Sequence, residues 1–177
     1  MTMLALAART FGVLLFATAL WSKLRNFDEF TSIVARYLNA RLEIARIAAT
    51  MVMLLEGITV ALLLAPFAGA AGAAVAIFLL LAFAAAMTMA LLRGERELDC
   101  GCMSSALSQR VRPALVLRNL MIAVCMLPLL VSHGSIDGIL PAMNGLGAGL
   151  VLFVLNLALG TFVALNDSFA DLKRRYG

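Results

Sequence analysis

Charge is scarce in this chain. Asp, Glu, Lys and Arg make up 14% of it, against about 25% in a soluble globular protein. Hydrophobic residues make up 63%, well above the roughly 45–50% of soluble domains. That balance excludes a soluble domain and requires an integral membrane protein. Histidine occurs once, at His133, and cysteine only three times. With no second cysteine pair, a closed zinc site is not expected. The chain also lacks a phosphate-binding loop, a nucleophile elbow and a basic stripe for nucleic acid. Long internal repeats and low-complexity linkers are absent as well. Its 177 residues suffice for one helical bundle, a single domain over residues 1–177, with no length left for a soluble one. The net charge of +4 therefore records topology, with the lipid bilayer as partner and no nucleic acid.

What is present is a set of five apolar runs, each able to cross about 30 Å of hydrocarbon. Met3 to Trp21 is apolar except for Arg9. Ala17-Thr18-Ala19 resembles a signal-peptidase site, but Lys23 and Arg25 follow at once and favour a retained anchor. Ile47 to Ala65 is the second span and stops at Pro66. Gly69 to Ala74 turn the chain into the Ala-rich third span, Ala70 to Leu92, whose small residues let helices approach closely. Pro113 suits the first turn of the fourth, Ala114 to Ser132. A polar loop from His133 to Met143 precedes the fifth, Gly145 to Leu165, where Gly145 and Gly149 form a GxxxG pair.

Asn26 to Asn39 differs. Phe27, Phe30, Ile33, Val34, Tyr37 and Leu38 recur at helical spacing between Asp28, Glu29 and Arg36, and Asn26 is placed to cap the start. The segment is too polar to span. It is expected as an amphipathic helix in the membrane interface, or docked on the bundle as a connecting helix. The expected fold is thus all-α: a polytopic protein of about five spans, four of them forming a core bundle.

Basic residues fall on one side. Lys23, Arg25, Arg36, Arg41 and Arg46 follow the first span. Arg93, Arg96, Arg110 and Arg112 follow the third, and Lys173, Arg174 and Arg175 end the chain. The second and fourth loops contain neither Lys nor Arg. The positive-inside rule puts the N-terminus outside, and the C-terminus and the third loop in the cytoplasm.

That third loop carries Asp99-Cys100-Gly101-Cys102. Two thiols one residue apart close a small, strained ring, which raises the reduction potential and makes the bond labile. The surrounding arginines favour thiolate, while Glu97 and Asp99 oppose it. Three readings stand. The pair is inert or a loop staple, although so short a ring stabilises little. It binds a soft ion such as Cu(I) through Cys100, Cys102 and Met103. Or it performs dithiol–disulfide exchange. Glu56, midway along the second span, is expensive in lipid and is expected to face the bundle interior. Arg118, about one turn into the fourth span, is its expected neighbour, in a structural ion pair or a proton-handling site. Cys125 shares a face with Arg118 and is expected to be a buried, inert thiol. Asn156 is expected to bond to a neighbouring helix. His133 stands alone. The scattered methionines read as gap-fillers.

The charged loop with Cys100-Gly101-Cys102, followed by Arg118-Asn119 at the opening of a span, resembles the MauE methylamine-utilisation membrane proteins of the DoxX-like group. Lys23-Leu24, Phe30, Tyr37 and Glu56-Gly57 add to the likeness, which extends over nearly the whole chain up to the fourth span. Met103-Ser104 stands where such proteins often carry Phe-Gly. The resemblance implies a role beside a thioredoxin-like, MauD-type partner outside the cytoplasm, in maturation of a disulfide-containing protein such as amine dehydrogenase. It implies no cofactor, a site in the bacterial inner membrane, and Cys100 and Cys102 as the redox pair with Glu56, Arg118 and Asn119 in support. A non-catalytic scaffold that recruits the same partner, and a soft-metal carrier, are the rivals.

Orientation is directly measurable. In a background with the native cysteines replaced by serine, Arg110→Cys should be labelled from the cytoplasm and Asp137→Cys from outside. The reverse pattern would overturn the charge-based topology.

Overall fold

The computed structural model describes residues 3–94, 113–131 and 139–176, and these form six helices. They are α1 (Met3–Arg25), α2 (Phe27–Leu38), α3 (Leu42–Leu64), α4 (Gly69–Leu92), α5 (Pro113–Val131) and α6 (Ile139–Tyr176). α1, α3, α4, α5 and the Met143–Phe162 part of α6 are long and apolar enough to cross a membrane, so the chain is a multi-pass membrane protein. Each of α1, α3, α4 and α5 packs on the next, and α5 returns to α1, closing the expected four-helix core. α2 docks on α3, with Phe30 and Thr31 buried. Among the described residues α6 packs on α1 alone.

Lipid offers no hydrophobic drive between helices, so close contact depends on small residues. α4 meets its neighbours through Gly72, Ala73, Ala76 and Ala84. A Cβ at Gly72 would lie 2.9 Å from the backbone nitrogen of Leu63. Leu63, Met126 and Leu129 are almost wholly buried between the helices. The GxxxG pair is the seam between α6 and α1. A Cβ at Gly145 would stand 2.8 Å from Leu6, and one at Gly149 2.6 Å from the Ala7 carbonyl oxygen.

Arg9 has a backbone role. Its Nε donates to the Leu63 carbonyl oxygen, and its Nη2 to that of Ala65 at 2.6 Å. Leu63 lies in the last turn of α3 and Ala65 is its C-cap, at a helix end where acceptors lack intrahelical donors and the dipole favours a cation. Pro66 cannot supply an N–H there.

Several boundaries differ from those expected. α1 continues past Trp21 through Arg25. Asn26 precedes α2 but makes no side-chain cap; its backbone N–H donates to Ser22 and its carbonyl accepts from Phe30. The chain thus passes from α1 into α2 with backbone bonds taking the place of a cap. Asn39, in the left-handed region at φ 48°, closes α2 instead. α6 starts inside the expected polar loop, because Pro141 falls in its first turn, where a missing N–H costs no helical bond. It also runs on through the basic tail.

The α1–α6 seam makes two neighbouring glycines unequal. Gly149→Ala should destabilise the protein by about 1–3 kcal/mol, the usual cost of overpacking. Gly147→Ala, whose Cβ would meet nothing within 4 Å, should leave it unchanged. Thermal unfolding in detergent measures both; equal midpoints would refute the seam.

A buried charged chamber at the candidate functional site

Glu56 is fully buried on α3 and faces the bundle interior, as its mid-span position requires. Its counter-ion is not Arg118. Oε1 of Glu56 accepts from Nζ of Lys23, near the C-terminal end of α1. Lys23 is 2% exposed. Its Nζ lies 5.1 Å from the ring centroids of both Phe30 and Phe83. Cation–π contacts of this kind stabilise by about 0.5–2 kcal/mol each. Phe30 reaches Lys23 because the chain turns into α2 directly after α1, which brings that ring back over the end of the first helix.

Arg118 and Asn119 enter the same space from α5. Asn119 is 3% exposed, and its Nδ2 has no partner among the described residues. Nε of Arg118 and Oε2 of Glu56 are likewise buried and unpartnered. Asn156 of α6 adds to the polar lining. Phe16, Phe83, Phe153 and Ile122 form apolar walls around a cavity of about 60 Å³. Two formal cations face one carboxylate, and two donors and one acceptor remain unused.

The expected Glu56–Arg118 neighbourhood therefore holds as a shared chamber, but the ion pair is Glu56–Lys23. Lys23 had the appearance of a flanking topology marker. Its long stem lets the ammonium reach back into the bundle, and the signal was Glu56 itself, which demands a cation at its depth. Cys125 departs from expectation more plainly. It is exposed on the outer face of α5, a free thiol turned away from the chamber. The seven-residue offset from Arg118 does align the two, but the long Arg118 side chain reaches inward where the short thiol cannot. Cys100, Cys102 and Met103 lie outside the described residues.

The charges on the loop side gather at one end of the bundle. Asp28 of α2 and Arg46 of α3 pair at 3.3 Å, and Arg93, just past α4, donates to the Tyr37 carbonyl at 3.1 Å. The first pair is exposed, so its worth is small, but both contacts tie α2 to the core.

Breaking the buried pair should be costly. Lys23→Met leaves Glu56 unpaired and should destabilise by about 3–5 kcal/mol. The double variant Lys23→Met, Glu56→Met should recover most of that loss, since apolar replacement of a buried pair is often neutral. Thermal midpoints and folded yield read the order; a single variant as stable as the parent would remove the pair's structural role.

Residues 1–132 match the family model described as methylamine utilisation protein MauE. The methylamine utilization protein MauE of Paracoccus denitrificans is 40% identical over 66% of this chain and 62% of its own length, so this match spans less than two thirds of that relative. That of Paracoccus versutus is 35% identical over 96% and 94%, and that of Methylophilus methylotrophus 33% identical over 87% and 83%. No solved structure matches. The match includes Lys23, Glu56, Arg118 and Asn119 as well as the cysteine loop, and the chain belongs to the MauE family of methylamine-utilisation proteins.

Proposed function

We propose that this methylamine-utilisation membrane protein is a thiol–disulfide electron relay whose redox pair is Cys100 and Cys102. The observation that carries the reading is where the charged chamber sits. α4 ends at Leu92 and α5 begins at Pro113, so both anchors of the cysteine segment belong to the end of the bundle that holds the chamber. Arg118 and Asn119 lie near the start of the helix that follows the dithiol, and Lys23 and Glu56 lie beside them. An excess of cationic groups at that end favours thiolate, the reactive form. Glu56, Arg118 and Asn119 act in support, and none of them carries electrons.

The chemistry is exchange. A thiolate of the pair attacks one sulfur of a partner disulfide, and the partner's other sulfur leaves as a thiolate that takes up a proton. The second thiol of the pair then loses its proton and displaces the partner, which departs as a dithiol. This chain is left oxidised and the partner reduced; the reverse sequence runs the electrons the other way. The partner is a thioredoxin-like protein of the MauD type, and the client a disulfide-containing protein such as amine dehydrogenase. The setting is the bacterial inner membrane. The charge asymmetry favours an N-terminus outside with the dithiol loop and C-terminus in the cytoplasm, whereas direct exchange with a partner outside the cytoplasm requires the loop on that side, and labelling at Arg110→Cys decides between the two.

Single replacements test the relay. Changing the resolving cysteine to serine should trap a mixed disulfide with a thioredoxin-like protein on non-reducing gels, and changing the attacking one should trap none. Cys125→Ser should leave trapping unchanged. The strained ring should titrate as more oxidising than structural disulfides, which lie below about −300 mV. If no complex forms and methylamine-dependent growth survives the double Cys100→Ser, Cys102→Ser change, the protein is a scaffold.

A further inference from the structure

The ion pair accounts for only part of the chamber. Oε2 of Glu56, Nε of Arg118 and Nδ2 of Asn119 are buried around one cavity with no partner among the described residues. Leaving a buried polar group unpaired costs about 1–3 kcal/mol, and more for a charged one. Three such atoms converging from two helices point to an occupant. It must donate to a carboxylate oxygen and accept from a guanidinium and an amide. A bare anion satisfies the two donors but repels Glu56; a bare cation does the opposite. A hydroxyl-type molecule, donor and acceptor at once, satisfies all three. Size narrows the choice. The cavity measures about 60 Å³, whereas a pocket that takes up benzene measures about 150 Å³ and about 10–15 Å³ already holds one water. A ring does not fit, and a small group of waters does.

We propose that the chamber is a water-binding proton-exchange site, in which bound water bridges Glu56 to Arg118 and Asn119. The waters give the buried carboxylate a hydrogen-bonded route toward the end of the bundle where α4 leaves and α5 returns. The charged groups facing Glu56 are Lys23 from α1 and Arg118 from α5; α4 contributes Phe83 and Leu80, and α6 contributes Asn156. Lys23 is committed to Oε1, so exchange proceeds at Oε2. The use made of that route rests on the relay reading, since thiols lose and regain protons as they cycle. The water site itself does not depend on it.

Hydroxyl-radical footprinting of the intact protein in nanodiscs tests the site, because radicals formed from bound water oxidise adjacent side chains. Phe16 and Phe153 are nearly buried, at 2% and 9% exposure, and line the chamber. Phe78 and Phe162 are 63% and 70% exposed, on the outer, apolar surface. Phe16 and Phe153 should be labelled and the two outer rings should not. Asn119→Leu, which fills the chamber, should abolish labelling of Phe16 and Phe153. Infrared spectra of the same wild-type sample moved into D2O should show the O–H stretch of bound water replaced promptly by its O–D counterpart, in a band that Glu56→Gln displaces. Chamber phenylalanines labelled no faster than the outer pair, or a water band unmoved by Glu56→Gln, would overturn the proposal. If Asn119→Leu does not fold, the wild-type footprint decides alone. None of these readouts involves Cys100 or Cys102, so failure here leaves the trapping result standing, and failure of trapping leaves the water site standing.

Discussion

A carboxylate cannot sit alone in the middle of a bilayer, and much of this fold follows from satisfying Glu56. Its demand for a cation draws Lys23 down from the end of α1. The ammonium then needs its own shielding, which Phe83 supplies from α4 and Phe30 from α2. One residue thereby fixes the relative depth of α1, α3 and α4 and holds the short helix against the core. Desolvating both ions costs several kcal/mol each, which the pair offsets only with good geometry and additional contacts. The aromatic rings are those contacts. The remaining donors and acceptors of the chamber are what that compensation leaves over, and a site with capacity left over is where chemistry can enter.

The rest of the bundle is held by shape. Alanine and glycine on α4 let it approach α3 closely around Leu63, and two glycines do the same between α6 and α1. At the far end of α1, Arg9 binds the carbonyls of Leu63 and Ala65 at the C-terminal end of α3. α1 is therefore pinned to α3 by a polar contact at each end, with close-packed apolar side chains between. The chamber lies in the half nearer the basic loops. The two ends of one bundle are thus chemically unlike: one joined by a guanidinium on helix-end carbonyls, the other holding a charged cavity.

The apolar runs were legible because span length and polarity leave little freedom, and all five span helices lie where those runs do. The GxxxG pair was legible as well, since only glycine fits where Gly149 meets the Ala7 backbone. Glu56 announced itself by cost alone. Its partner did not, because composition cannot tell a lysine that marks a membrane edge from one that reaches back inside. Arg9 was visible as an exception, but its use depends on a carbonyl 56 residues away. Cys125 failed for a simpler reason. Hydrophobicity and a shared face with Arg118 suggested burial, but on a membrane helix the outward face is apolar too, so an apolar residue carries no inside or outside signal there.

The two polar contacts of α1 also bear on how the chain enters the membrane. An arginine or lysine within a membrane span opposes insertion, most strongly near the helix centre. α1 carries Arg9 within its span and Lys23 near its end, and both find their partners on α3. During synthesis α1 emerges first, with neither charge matched. It becomes a comfortable resident of lipid only when α3 arrives beside it, carrying a free carbonyl end for one charge and a carboxylate for the other. The first and third helices are therefore each other's complement: α1 supplies both charges, and α3 and its C-cap supply the groups that match them.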